Sequence, residues 1–203
     1  MVIAPQPFSS VRTVAISMRI LRLLAGYTAG LSPQKRKPAV PMDEQQIDSA
    51  AYRRALSCFA TGVTVVTTLD GDGQRVGITV SSFNSVSLDP PLVLWSIGKD
   101  SLSYDAFIKA DSFVVNVLSS GQSDLSNRFA AKRTDKFNGL DCRSGIAGIP
   151  ILPDCAASFE CTTEHLYEGG DHTIIVGRVA KFADSAVDPL IIFRSDYLRA
   201  SDE

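Results

Sequence analysis

Gly77-Ile78-Thr79-Val80-Ser81-Ser82-Phe83-Asn84-Ser85-Val86-Ser87-Leu88-Asp89-Pro90-Pro91 is the stretch on which the fold turns. Read as a strand over residues 77–86, it sends Ile78 and Val80 to one face and Thr79, Ser81 and Phe83 to the other. The second face is rich in hydroxyls and ends in an aromatic ring, an unusual composition for a core. Two readings are open on this pattern alone. One is a solvent-facing Ser/Thr strand at a sheet edge. The other is a wall for a flat heteroaromatic ligand, whose polar edge needs N–H, C=O or hydroxyl partners and whose face needs an apolar plate.

Upstream, Val63-Thr64-Val65-Val66-Thr67-Thr68 is β-branched at every position and stops at Asp70-Gly71-Asp72-Gly73, a hairpin turn, so residues 77–86 are the returning strand. Before that, Asp48 or Ser49 caps a helix with Tyr52, Ala55, Leu56 and Phe59 at i, i+3, i+4 and i+7, which Gly62 ends. Downstream, the Pro90-Pro91 pair precedes a run at 92–97 that is apolar except for Ser96, suited to a central strand that buries Trp95. Ser101 caps a short helix through Ala106, Phe107 and Ile108, and residues 113–118 form another strand. A helix follows at about 123–131, with Leu125 and Phe129 at i, i+4. Strands at 155–164 and 172–182 flank the turn Glu168-Gly169-Gly170-Asp171, and Pro189-Leu190-Ile191-Ile192-Phe193 supplies a last short strand. Strands joined by hairpins, with helices only between some of them, argue against βαβ alternation. The class is mainly β: an antiparallel barrel with two or three flanking helices.

The chain has 203 residues, 45% hydrophobic and 21% charged, enough for one domain with a sizeable core and unlike a disordered polymer. Residues 1–42 hold six basic residues and no acid; the remainder holds 14 basic and 22 acidic residues, a balance of -8. An acidic body without a basic, aromatic-studded stripe excludes nucleic acid as the expected partner. Cys58, Cys142, Cys155 and Cys161 form no CxxC pair, and only two histidines are present, so no metal site is expected and the thiols read as reduced ones of a cytoplasmic protein. The uncharged stretch between Arg22 and Lys35 is too short to span a bilayer. Nor is there a Rossmann fingerprint or a P-loop.

Residues 1–45 differ from the rest. An amphipathic segment at 11–24 carries Arg12, Arg19 and Arg22, and Pro33-Gln34-Lys35-Arg36-Lys37-Pro38 has linker composition. A flexible tail, a targeting peptide, a membrane-surface helix and translation from Met42 all remain open. The domain boundary is expected near residue 45, with one domain over 46–203.

Phe59-Ala60-Thr61-Gly62-Val63-Thr64-Val65-Val66-Thr67-Thr68, the 77–91 stretch continued by Leu92-Val93-Leu94, Phe113-Val114-Val115-Asn116-Val117-Leu118, Asn127-Arg128-Phe129-Ala130, Gly170-Asp171-His172-Thr173-Ile174-Ile175-Val176-Gly177-Arg178-Val179 and Pro189-Leu190 occur in this order. Together they resemble the short-chain flavin reductase family, the reductase components of two-component flavin-dependent monooxygenases, over about residues 48–198. The resemblance implies an FMN-binding split β-barrel (Greek-key) and hydride transfer from NADH or NADPH to FMN or FAD. It also implies a homodimer and a monooxygenase partner that receives reduced flavin. It implies that Thr79, Val80, Ser81, Ser82 and Phe83 line the flavin ring, largely through backbone atoms, and that Ser85 and Val86 continue the wall. Ser101, with Lys99 beside it, would meet the phosphate, and Phe129 and Ala130 would close the ribityl or adenosine side. His172 would position the nicotinamide, and Tyr197 would contact the dinucleotide. No nucleophile is required of the protein. Asp171 reads as a turn residue, Asn116 as a backbone satisfier, and Lys132-Arg133-Thr134-Asp135-Lys136 as a solvated loop within reach of a cofactor phosphate. The same barrel also admits reduction of a bound corrinoid or quinone, or a flavin-binding module without turnover.

Overall fold

The structure, a computed structural model, describes residues 47–133 and 135–200. The amphipathic segment expected at 11–24 lies outside them. Twelve strands and three α-helices follow in order: α1 (Ser49–Leu56), β1 (Thr61–Gly62), β2 (Thr64–Leu69), β3 (Arg75–Val80), β4 (Asn84–Leu88), β5 (Pro91–Gly98), α2 (Tyr104–Lys109), β6 (Ser112–Val117), α3 (Ser123–Ala130), β7 (Arg143–Ser144), β8 (Pro150–Ile151), β9 (Ala157–Gly169), β10 (His172–Asp184), β11 (Leu190–Phe193) and β12 (Asp196–Arg199).

Seven strands make one antiparallel sheet in the order β3-β2-β6-β9-β10-β5-β4. Neighbours in the sheet are not always neighbours in sequence: β6 lies between β2 and β9, and β10 returns beside β5. Strand β3 is one edge and β4 the other. The sheet curls, because residues from both ends face one core. Val93, Trp95 and Ile97 of β5, Phe113 and Val115 of β6 and Ile175 of β10 form that cluster, and Val76, Ile78 and Val80 of β3 pack against it. Trp95, fully buried as expected, meets Phe107 edge-on at 4.9 Å and Phe113 at 5.9 Å between ring centroids. Such pairs add about 0.5–1.5 kcal/mol to the area they bury. Gly177 on β10 is required here, since a Cβ would run into the Phe113 ring and Cys161.

A second cluster joins β2, α3 and the small β1-β11-β12 sheet through Val63, Val65, Leu118, Phe129, Leu152 and Leu190. Asn116, buried between them, satisfies backbone as expected: its Nδ2 donates to Val65 O at 3.0 Å and its Oδ1 accepts from Leu152 N at 2.9 Å.

Three expectations need correction. Residues 77–86 are not one strand. The chain leaves the ladder after Val80, crosses through residues 81–83, and pairs again as β4 against β5. The crossing joins the two edge strands of the sheet, so the alternation of faces is broken at Ser81 and Phe83 turns inward, its ring 5.5 Å from Phe159. Ser101 does not cap α2; that helix begins at Tyr104 with Ser103 before it, and the Ser101 hydroxyl accepts from Ser103 N at 3.2 Å. Helix α1 is capped by Asp48 as read, Ala50 N donating to its Oδ1 at 2.9 Å, but it ends at Leu56 and none of its residues is buried.

Candidate flavin and nicotinamide site

The crossing at residues 81–83 is fixed by a side chain. Ser82 Oγ accepts from Ser96 N at 2.9 Å and donates to Ser96 O at 3.2 Å, so a hydroxyl closes the gap where a strand ladder does not. Outside the ladder, the backbone N–H and C=O groups of the crossing need partners, and no turn or loop hydrogen bond among the described residues supplies them. Ser81 and Ser82 are exposed, and they line a cleft of about 400 Å³ with Phe59 of the loop after α1 and Arg194 of the β11–β12 turn. Polar backbone presented beside small side chains suits the edge of a heteroaromatic ring. Ser85 and Val86 continue outward along β4 and are exposed.

Thr79 and Tyr197 act at a distance from that edge. Thr79 Oγ1 donates to Ser126 O at 2.7 Å, while the Tyr197 hydroxyl lies 2.8 Å from Ser126 Oγ and 3.0 Å from Asn127 Oδ1. Since an amide oxygen only accepts, the phenol donates to Asn127 and accepts from Ser126. Both residues therefore dock α3 on the strands, and Val80 beside Thr79 packs inward. Phe129 on α3 is wholly buried, not a surface lid. Its ring meets Phe137 edge-on at 5.0 Å, and a Cβ on Gly77 would stand 2.5 Å from it. Ala130, next in the chain, is exposed.

Ala130 and Ser101 come together in a second cleft of about 570 Å³ between β3, the start of α2 and the segment after α3. Arg75, Lys132, Arg133 and Lys136 line it, with Ser103 and, as the one acid, Asp70. Cations and hydroxyls converging on one cleft are the donor set that a phosphate ester needs. Lys136 is not the solvated residue expected of its run: its Nζ donates to Gly77 O at 3.1 Å and Phe129 O at 2.8 Å, and partial burial pulls its pKa down. Arg75 was not singled out in the sequence, where it reads only as a hairpin residue.

Lys99 and His172 form a third group, where β10 begins against the end of β5. Lys99 does not reach toward Ser101; its ammonium is paired with Glu168, whose carboxylate raises the Lys99 pKa. His172 pairs in register with Gly98, and its Nε2 lies over that glycine, where a Cβ would be 3.6 Å away. Its Nδ1 is 2.8 Å from Asp171 Oδ1. A carboxylate can only accept, so Nδ1 carries the proton, and in the neutral ring Nε2 is left as an acceptor. The His172 bond in turn holds the Asp171 carboxyl below its usual range, and the charge of Arg53 on α1 adds to this. Asp171 thus orients His172 as well as shaping the turn, and nothing in the sequence announces Arg53. The structure distributes the expected residues over the crossing, the cationic cleft and the His172 corner; Phe129 and Phe83 belong to the core.

Residues 56–201 match the flavin reductase like domain. A probable flavin reductase of Rhizobium meliloti is 46% identical over 77% of this chain, which spans 50% of that relative's length. The flavin-dependent monooxygenase reductase subunit HsaB of Mycobacterium tuberculosis is 41% identical over 75% of this chain and 82% of its own. Among solved structures, the NADH:FAD oxidoreductase of Streptomyces globisporus, in complex with NAD and FAD fragments, is 36% identical. It superposes with a TM-score of 0.72 over 80% of this chain and 98% of that one. An antiparallel sheet split at an open crossing, a cationic cleft beside it and these likenesses over most of the described residues lead to one assignment: the chain belongs to the flavin reductase like domain family.

Proposed function

We propose that this chain is an NAD(P)H:flavin oxidoreductase that reduces FMN or FAD for a separate flavin-dependent monooxygenase. The observation that carries the reading is the unladdered crossing at residues 81–83, open in its backbone and flanked by the cationic cleft and by His172. When both nucleotides are bound, hydride passes from nicotinamide C4 to flavin N5. The protein's part is to hold the two rings at reacting distance, which converts a bimolecular encounter into an oriented one. Ser81 and Ser82 offer backbone and hydroxyl partners to the ring edge, with Thr79, Val80 and Phe83 fixing the strand that carries them. Ser85 and Val86 extend the wall. Ser101 and Ala130 border the phosphate-bearing tail, and Phe129 and Tyr197 support them by docking α3. His172, oriented by Asp171, presents Nε2 to the nicotinamide, with Lys99 held beside that corner by Glu168.

The homodimer belongs to the same proposal. Ile47, Tyr52, Leu56 and Phe59 are each more than half exposed, an apolar face that a second subunit would cover. Residues 46–203 form the reductase domain in this reading. A cytoplasmic location accords with four free cysteines and with no helix among the described residues long and apolar enough to cross a membrane. Purified protein should oxidise NADH or NADPH only when flavin is added, and an anaerobic assay crossing both nicotinamides with FMN and FAD defines the pair. Turnover insensitive to added flavin, in protein that stays yellow through gel filtration, would point to reduction of another bound substrate instead.

A further inference from the structure

The cationic cleft extends along β3 beyond the place a ring would occupy, and its charges are not equivalent. Asp70 is spent on its own turn, its Oδ1 accepting from Asp72 N at 3.0 Å and Gln74 N at 2.8 Å. Arg133 is paired with Asp135, and Lys136 is committed to two carbonyls. Arg75 and Lys132 are exposed and, among the described residues, have no ion-pair partner. Two unpaired cations therefore face one cleft whose single acid is engaged elsewhere.

Strand β3 serves as a ruler. Gly77 lies three residues before Val80, where the strand ends, and Arg75 five, about 10 Å and 17 Å at the usual strand rise. From a flavin ring to its first phosphorus there are seven bonds, roughly 9 Å at backbone-like reach per bond. A ring laid against residues 81–83 thus brings one phosphate toward Gly77 and Ser101 and leaves the Arg75 end of the cleft beyond it. That end carries apolar surface as well, from Val76, the exposed Leu102 and Phe137.

Resting on the flavin reading above, we propose that Arg75 and Lys132 are specificity-determining residues that hold the second phosphate of a dinucleotide flavin. The adenosine then lies on the apolar surface beside them, and the protein prefers FAD to FMN and to riboflavin. No bond is made or broken in this step; the selection is by binding. Because the cations are exposed, the preference weakens as salt rises.

The test is equilibrium titration of the full chain with FAD, FMN, riboflavin and, separately, ADP, at low and high salt, for the wild type and for Arg75→Ala, Lys132→Ala, the double variant and Arg75→Glu. The proposal expects FAD to bind about tenfold more tightly than FMN, the scale of a charge-assisted contact. ADP should bind on its own and compete with FAD. The double variant should lose ADP binding and bring FAD within about twofold of FMN, with riboflavin unchanged. Unchanged riboflavin affinity also reports that the variants are folded. FMN binding as tightly as FAD in the wild type, or variants that weaken all three flavins alike, overturns the proposal while leaving the flavin reading intact. No binding of any flavin overturns both.

Discussion

Gly77→Ala is the change that most directly links the barrel to the cleft. A Cβ at this position would lie 2.5 Å from Phe129 Cε1, 2.7 Å from Cδ1 and 3.1 Å from Phe137 Cζ. Carbon atoms sit best at about 3.5–4.0 Å, so the Phe129 ring has to move by about 1 Å. It has nowhere to go: it is fully buried among Val63, Val65 and Leu118. Overpacking of this kind costs about 1–3 kcal/mol, and the lost freedom of the unfolded chain returns about 0.4–1 kcal/mol. A net loss of about 1–2 kcal/mol lowers the melting temperature of a domain this size by roughly 2–8 °C. The same displacement pushes α3 and Ala130, so flavin affinity should fall with stability. Thermal unfolding and a flavin titration read the two effects. Gly71→Ala, in the hairpin turn with nothing within 4 Å of its Cβ, is the control: it should leave flavin affinity unchanged and keep only the gain of about 0.4–1 kcal/mol from the unfolded chain. An unchanged or higher melting temperature for Gly77→Ala would refute the close approach on which the argument rests.

Ser82→Ala removes both bonds to Ser96, and because these hold the crossing at residues 81–83, flavin affinity should drop more than stability does; equal losses would mean that the bridge is only structural. Tyr197→Phe deletes a half-buried hydroxyl with two partners and should cost about 1 kcal/mol in chemical denaturation, and an unchanged midpoint would contradict the role given to it in docking α3. His172→Ala should raise KM for the nicotinamide severalfold and leave flavin affinity unaltered; a matching loss of flavin binding would move His172 to the flavin side. Burial pushes the Cys155 and Cys161 thiols up to about 12, so at pH 8 only about one in ten thousand is ionised. Raising the pH toward 12 increases that fraction, so native-state alkylation at pH 8 followed by mass spectrometry should label the exposed Cys58 well before either, and rapid labelling of Cys161 would contradict its burial.

Strands were legible wherever local pattern and tertiary role agree. The β-branched run at 63–68, the apolar run at 92–97 and the hairpin between β9 and β10 read correctly because each satisfies its own periodicity. Residues 81–83 did not. Their alternation continues that of β3, and only the closing of the sheet, a long-range event, forces the chain out of the ladder there. The same holds for α2: Ser101 is a good cap by type, but its hydroxyl accepts from Ser103 N ahead of the helix, and Ser103 makes no side-chain cap bond. In the site, the hydroxyl-rich stretch and His172 stood out in sequence. Arg75 and Arg53 did not, and Lys136 was read only as part of a solvated run within reach of a phosphate, because a cation on a hairpin, a loop or a helix surface carries no local mark of what the fold brings near it. Phe129 was legible as a family residue but not as a buried one. Its burial depends on Gly77, distant in the chain, having no side chain.

In the function proposed above, the protein aligns a nicotinamide with a flavin for direct hydride transfer. The decisive measurement is rapid anaerobic mixing of the protein and flavin with NADH or NADPH, following the absorbance of oxidised flavin. The expected result is single-turnover bleaching with a rate that saturates in nicotinamide, slows when the transferred hydrogen is deuterium, and becomes harder to saturate in His172→Ala. Flavin that binds tightly yet stays oxidised with either nicotinamide would contradict it.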